Sequence, residues 1–336
     1  MLTNKFRSFC TLLLFTLLGL IGCEASFLYD PTPVAIVITG EPTATVPPTI
    51  TPTPTQTLTP RPSPMPDWTA TPTPFPCNEE VGQIFEVTDN FSEIARENLR
   101  YRVYVPPCYQ VSQKRYPYVI LFHGLSYREQ QWDELGLDEA LDQGIRLGVL
   151  PPMIVVMPWM GQIGQLNSFP PEISYETVIL EELVPSIQRD FCTINDREHR
   201  AIGGISRGGF WAFSIALRNP DIFGIIGGHS AYFPNDTRAI PPAFNPLELA
   251  VNSSFVQEAG IRMYLDNGAS DSSGPSQQLF SSRLSARDIA HTYVVHPVGE
   301  HNNDYWSAHV SEYLSFYSSE WEPDYNQLPS CLDPSP

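Results

Sequence analysis

The sequence predicts an α/β domain in which a mainly parallel central sheet carries helices on both faces. Short apolar runs of strand length alternate with longer stretches of helical period across residues 77–336, the signature of repeated strand-helix crossovers. Two of these runs, residues 118–123 and 153–157, are almost wholly apolar, as strands buried on both faces must be. A third ends in Gly203-Gly204-Ile205-Ser206-Arg207-Gly208-Gly209, where glycines permit a strand to turn sharply into a helix.

The front of the chain stands apart from that domain. Lys5 and Arg7 precede an apolar run over residues 12–21, and Leu20-Ile21-Gly22-Cys23 follows, which is the form of a bacterial secretory signal ending in a lipobox. The run is too short for an ordinary membrane-spanning helix. The expectation is therefore a signal peptide over residues 1–22 and a lipidated Cys23 as mature N-terminus. Its acyl chains would hold the protein outside the cytoplasm on the bacterial membrane. Pro and Thr then dominate residues 31–76, as in Thr51-Pro52-Thr53-Pro54-Thr55. With almost no charge and no amphipathic period, residues 23–76 are read as a disordered, semi-rigid tether.

Residues 77–336 are long enough for one substantial core. The net charge of −18 speaks against a surface that binds polyanions, so nucleic acid is not an expected partner; oligomeric state is not legible. Cys77, Cys108, Cys192 and Cys331 make an even number in an exported domain, which implies two disulfides. Of the three connectivities, Cys77 with Cys108 and Cys192 with Cys331 is preferred. No Cys-x-x-Cys occurs, which weakens a zinc or redox reading.

Along the domain, residues 83–87 and 101–105 have the period-two look of an edge hairpin. Residues 118–123 and 153–157 are central strands, with a helix over 130–146 between them. A helix over 175–191 precedes the strand 201–205, and another runs from 209 to 218. Later strands are expected at 222–227, 262–265 and 292–296, with helices near 276–287 and 304–317.

Gly204-Ile205-Ser206-Arg207-Gly208 directly after an apolar strand is the nucleophile elbow of an α/β-hydrolase. A serine hydroxyl is a weak nucleophile at neutral pH, so it needs a histidine base and a carboxylate that fixes the imidazole. In this fold the order is Ser, acid, His. The chain offers Asp266-Asn267-Gly268-Ala269-Ser270-Asp271 after one strand and Gly299-Glu300-His301 after the last, both where an open parallel sheet places its ligands. Asp271 is assigned as acid and His301 as base. Asp266 is the competing acid, with holding its own loop through backbone amides as its other role. His229, His291, His296 and His309 are read as packing or surface histidines, and His123 as a support for its loop. The oxyanion of an acyl-transfer intermediate needs backbone donors, assigned to the amides of Leu125, after His123-Gly124, and of Arg207.

With these pieces the domain resembles the esterase family that includes enterochelin esterase, feruloyl esterases, S-formylglutathione hydrolase and the antigen 85 mycolyltransferases. The matching segments are Tyr101-Arg102-Val103-Tyr104-Val105-Pro106-Pro107, Tyr116-Pro117-Tyr118-Val119-Ile120-Leu121-Phe122-His123-Gly124, the elbow, the segment from Asp266 to Asp271, and Gly299-Glu300-His301 with Trp306 beyond. The resemblance implies a triad of Ser206, Asp271 and His301, with Leu125 and Arg207 lending the oxyanion amides. Arg207 departs from the methionine common in relatives, which leaves its guanidinium available to bias substrate charge. The expected activity is hydrolysis of a small or carbohydrate-linked ester (an acylated sugar, aryl ester or siderophore-type lactone) with neither metal nor organic cofactor. An acyltransferase to a sugar or alcohol, and an inactive surface binding module, are the alternatives. Trp159, Phe169, Tyr232 and Phe244, in loops near the predicted cleft, suit either an aryl ester or the packing of those loops.

Overall fold

The computed structural model describes Val34–Ile38 and residues 77–333. The proposed signal peptide, Cys23 and the remainder of the proposed tether lie outside the described residues. One segment of that tether is corrected: Val34–Ile38 forms strand β1, antiparallel to the last strand of the sheet, with Val34 opposite Val295 and Ile38 opposite His291. Four of its five residues are β-branched, which favours an extended chain wherever a sheet edge offers unpaired backbone groups.

The other strands of the sheet are β2 (Gln83–Val87), β3 (Tyr101–Val105), β4 (Tyr118–Phe122), β5 (Ile154–Pro158), β6 (Arg200–Ile205), β7 (Ile225–His229), β8 (Arg262–Gly268) and β9 (His291–His296). Their spatial order is β1-β9-β8-β7-β6-β4-β5-β3-β2. Pairings from β9 through β5 are parallel, whereas β3 joins β5 and β2 joins β3 antiparallel. The predicted edge hairpin is thus present, and a two-stranded excursion at Phe91–Ser92 and Glu97–Asn98 is inserted within it.

Both faces of the sheet are buried, and successive residues feed opposite layers. In β4, Tyr118, Ile120 and Phe122 enter one layer with Phe210, Trp211 and Phe280, while Val119 and Leu121 enter the other with Trp132, Leu141 and Tyr313. The first layer packs under α2 (Arg207–Arg218) and α3 (Gly274–Ser285), the second under α1 (Leu137–Arg146) and α4 (Asn303–Ser318).

Several helices differ from expectation. The helix foreseen over 130–146 is split into Gln131–Glu134 and α1 because Gly136 takes φ +86°, a left-handed turn that ends the first piece. The stretch Tyr175–Val178, Ile179–Leu183, Val184–Asp190 stays helical but passes through a π turn just before Pro185, which has no amide hydrogen to donate. Pro246–Asn252 is an unforeseen helix with a plain start signal: Asn245 accepts from the Leu247 amide, and proline follows.

Cys77–Cys108 and Cys192–Cys331 are disulfides, each with Cα atoms 5.6 Å apart. The first pins the entry to β2 beside the end of β3, the second the chain terminus. By loop-closure entropy, separations of 31 and 139 residues correspond to stabilisation of at most about 4 and 5 kcal/mol.

Candidate active site

Three strand ends deliver side chains to the carboxyl rim of the parallel sheet: β6 runs into Ser206, β8 toward Asp271, and β9 toward His301. Ser206 sits at φ +55°, ψ −112°, a strained conformation that costs about 1–3 kcal/mol. Surrounding backbone holds it there: its amide donates to the His229 carbonyl at 3.0 Å, and its carbonyl accepts from the Tyr232 amide at 3.1 Å. The flanking glycines are required by close approach. A Cβ on Gly204 would lie 2.5 Å from the Gly208 carbonyl carbon, and one on Gly208 would lie 2.6 Å from the carbonyl oxygens of Phe122 and His123.

The structure brings the three predicted triad residues together. Ser206 Oγ is 2.9 Å from His301 Nε2, and His301 Nδ1 is 2.9 Å from Asp271 Oδ1. The carboxylate is buried, whereas the imidazole is 29% exposed. Burial pushes the Asp271 pKa up, but hydrogen bonds from His301, Ser230 and Ser273 outweigh it and hold the carboxyl below its usual range. Ser273 donates both its amide and its hydroxyl to Asp271 Oδ1, each at 2.7 Å. The Trp306 indole meets the His301 ring edge-on at 5.1 Å and donates to Ser230 Oγ at 2.8 Å. A hydroxyl facing an imidazole that is itself fixed by an ionised carboxylate can become a nucleophile when a carbonyl arrives.

The oxyanion candidates adjoin it. Arg207 is the first residue of α2, whose leading amides have no intrahelical acceptor. Leu125 follows Gly124 in the loop after β4, against whose end the elbow packs. His123 supports that loop, as foreseen: Nδ1 donates to the Gly124 carbonyl at 2.7 Å, and Nε2 accepts from the Met160 amide at 3.0 Å. Burial drives its pKa down to about 4, so it is a neutral strut rather than a proton carrier. Gln131 was missed by sequence reasoning. Its Oε1 accepts from the Gly124 amide at 2.8 Å and its Nε2 donates to Asn303 Oδ1 at 3.0 Å, tying the Leu125 loop to the helix that follows His301.

Arg207 requires a correction. Its guanidinium is buried, donating to the carbonyls of Gly164 (3.1 Å) and Leu166 (2.7 Å) and lying over the rings of Phe210 and Trp211. Burial lowers its pKa to about 10. It therefore fastens the 161–168 loop instead of offering a charge to substrate, with Trp211 Nε1 adding a second donor to Gly164 at 2.6 Å.

Asp266, the competing acid, lies elsewhere. It is fully buried, with Oδ1 2.8 Å from His229 Nδ1, and Oδ2 accepting from Tyr305 (2.6 Å) and Tyr313 (2.9 Å). It is satisfied by side chains, not by loop amides as anticipated. Of the four loop aromatics, Phe169 stacks on Phe244 at 4.7 Å and both are buried, so they pack their loops down. The guanidiniums of Arg100 and Arg128 both lie over the Trp159 ring, at 5.0 and 5.8 Å from its centroid. Tyr232, next to the nucleophile's backbone, is 51% exposed.

The family model described as "Putative esterase" matches residues 92–321. An endo-1,4-beta-xylanase/feruloyl esterase of Xylanibacter ruminicola is 33% identical over 168 residues, which cover 47% of this chain and 23% of that protein. An esterase of Mycobacterium tuberculosis is 31% identical over 134 residues, 38% of this chain and 28% of that protein. The chain thus spans about a quarter of the length of these curated relatives. Among solved structures, a ferulic acid esterase superposes with TM-score 0.64 at 25% identity, covering 71% of this chain and 99% of that one. The S-formylglutathione hydrolase of Staphylococcus aureus, at 19% identity, shares the fold with TM-score 0.60 over 70% of this chain and 98% of its own. With its α/β-hydrolase sheet, its elbow and most of its length matched by that model, the chain belongs to the esterase family.

Proposed function

We propose that this protein is a serine carboxylic-ester hydrolase that works through an acyl-enzyme on Ser206. The observation that carries the reading is the unbroken line from Asp271 Oδ1 through His301 to Ser206 Oγ, with both contacts at 2.9 Å. The Ser206 oxygen attacks the ester carbonyl as His301 Nε2 takes its proton, and the amides of Leu125 and Arg207 hold the resulting oxyanion. His301 then returns the proton to the departing alcohol as the C–O bond breaks. Water attacks the acyl-enzyme with His301 again as base, and acid and free serine are released.

A hydroxycinnamoyl-type ester of a sugar is the substrate class best supported. Tyr232, Leu125 and Leu166 are exposed large side chains on the loops around the nucleophile, which suits an aromatic acyl group, and relatives named feruloyl or ferulic acid esterase point the same way. The two disulfides support action outside the cytoplasm, as do the signal-like start and Cys23. A fluorophosphonate probe, with the adduct mapped by mass spectrometry, tests the mechanism: label on Ser206, lost in Ser206→Ala, is expected. Labelling elsewhere, or full turnover by Ser206→Ala, overturns it. Comparing feruloyl, acetyl-sugar, short p-nitrophenyl and trilactone esters tests the substrate class, and radiolabelled palmitate incorporation lost in Cys23→Ser tests the anchor.

A further inference from the structure

The last strand and the last long helix bring together three side chains that the triad does not use. His296 ends β9, while His309 and Glu312 stand three residues apart on α4 and so share one face of it. One ligand atom from each lies within 4.8 Å of the other two. His296 Nε2 is 3.4 Å from Glu312 Oε2, and His309 Nδ1 is 3.3 Å from that same oxygen.

These separations have a specific meaning. A tetrahedral zinc ion with ligand bonds of about 2.0–2.1 Å keeps its donor atoms about 3.4 Å apart, so two of the three edges already have the length that a shared ion requires. His296 Nε2 is shut off from water yet has no hydrogen-bond partner among the described residues, an arrangement that wastes a buried polar atom unless a ligand claims its lone pair. The two imidazole rings lie 3.8 Å apart, centroid to centroid. Glu312 is preset as well: the Tyr264 hydroxyl donates to Oε1 at 2.6 Å, occupying one oxygen and leaving Oε2 facing the histidines. Such outer support is what orients a metal-binding carboxylate.

We infer that His296, His309 and Glu312 form a binding site for a divalent transition-metal ion of the zinc type. Two imidazoles and one carboxylate match that ion's preference over calcium or magnesium, which favour all-oxygen sets. Glu312 is 40% exposed, so water completes the fourth position from the open side. The site clips the end of β9 to α4, the two elements on either side of the 297–302 loop that carries His301. Its role is thus to fix the two ends of that loop.

The test uses untagged full-length protein stripped with chelator and titrated with zinc chloride by calorimetry and thermal unfolding. One ion per chain is expected, bound at micromolar affinity or tighter, with Tm rising by about 5 °C at 100-fold excess over Kd. Cobalt(II) should give the intense visible bands of a tetrahedral site. His309→Gln and Glu312→Gln should each weaken binding at least about 100-fold, and His296→Ala likewise where it folds. Absence of binding below millimolar zinc, or unchanged affinity in both His309→Gln and Glu312→Gln, overturns the inference. None of these readouts needs ester turnover, so the outcome is independent of the proposed activity.

Discussion

Of the carboxylate–histidine pairs in this molecule, Asp271–His301 and Asp266–His229 make the sharpest contrast, and only the first reaches a serine. Asp271 and His301 are 2.9 Å apart at the rim, and Asp266 and His229 are 2.8 Å apart inside the core. The difference lies at the far nitrogen. His301 Nε2 faces the Ser206 hydroxyl in a side chain 29% exposed, while His229 Nε2 faces the Tyr317 hydroxyl at 2.8 Å with both partners of its pair at 0% exposure. The Tyr317 hydroxyl comes so close to the sheet that a Cβ on Gly203 or Gly227, paired across β6 and β7, would fall within 2.0 Å of it. Tyr313 stacks on the His229 ring at 3.6 Å. One pair can move a proton to an incoming group, whereas the other is sealed among phenols whose own pKa values burial has raised.

Exchanging the two pairs by mutation gives the largest expected contrast. His301→Ala should reduce kcat by about 10⁶-fold and Asp271→Asn by about 10⁴-fold, since a triad acts as a unit and loses its tautomer control without the carboxylate. His301→Ala should unfold close to wild type, because His301 is partly solvated. Asp266→Ala should do the reverse, costing about 3–5 kcal/mol by stranding one imidazole and two phenol donors in the core, with kcat of the folded fraction nearly unchanged. Steady-state kinetics and urea denaturation on the four single variants, His229→Ala included, decide the matter. A stable but inactive Asp266→Ala would make the inner pair part of the chemistry and erase the distinction.

His123 sharpens the same contrast through pH, as a buried imidazole with no carboxylate at all. Burial holds its folded pKa at about 4 against an ordinary 6.5, so between those values the unfolded chain binds a proton that the folded chain refuses. Stability therefore falls as pH drops from 6.5 to 4, by about 3 kcal/mol from this group. His123→Gln, which keeps one donor and one acceptor, should flatten that part of the stability-pH curve by the same amount. An unaltered slope in urea melts across the window would mean that the folded loop accepts the proton.

How much of this was visible in the chain divides along the line between local and convergent signals. The elbow, the succession of strands and helices along the chain and the positions of Ser206 and His301 follow from short motifs and periodicity. Its place in the loop favours Asp271 over Asp266, and the Asp271-Ser272-Ser273 sequence carries an aspartate-turn signal for the Ser273 amide. The inner cluster had no such signal: Asp266, His229, Tyr313 and Tyr317 span 88 residues and meet only through the sheet register. The same holds for the Arg207 guanidinium, whose carbonyl acceptors lie more than 40 residues away. The strand at Val34–Ile38 was masked by its Pro/Thr surroundings, since composition averages over a five-residue β-branched run.

Gln131 gives the smallest effect and tests how the rim pair differs from the inner one in its support. The inner pair is held by hydrogen bonds from packed core tyrosines, whereas the loop beside the rim pair also relies on an amide side chain bridging Gly124 and Asn303. Gln131→Ala removes both bonds in a buried position and leaves the Gly124 amide without its acceptor, while the triad's own contacts remain. A drop in kcat of about tenfold is expected, roughly one hydrogen bond's worth of oxyanion alignment, with KM changing less because ground-state contacts are untouched. Gln131→Glu, which keeps the acceptor for Gly124 but loses the donor to Asn303, should recover part of that loss. If Gln131→Ala shifted KM and left kcat intact, the bridge would be shaping the substrate groove, and the positioning of Leu125 would have to come from His123 alone.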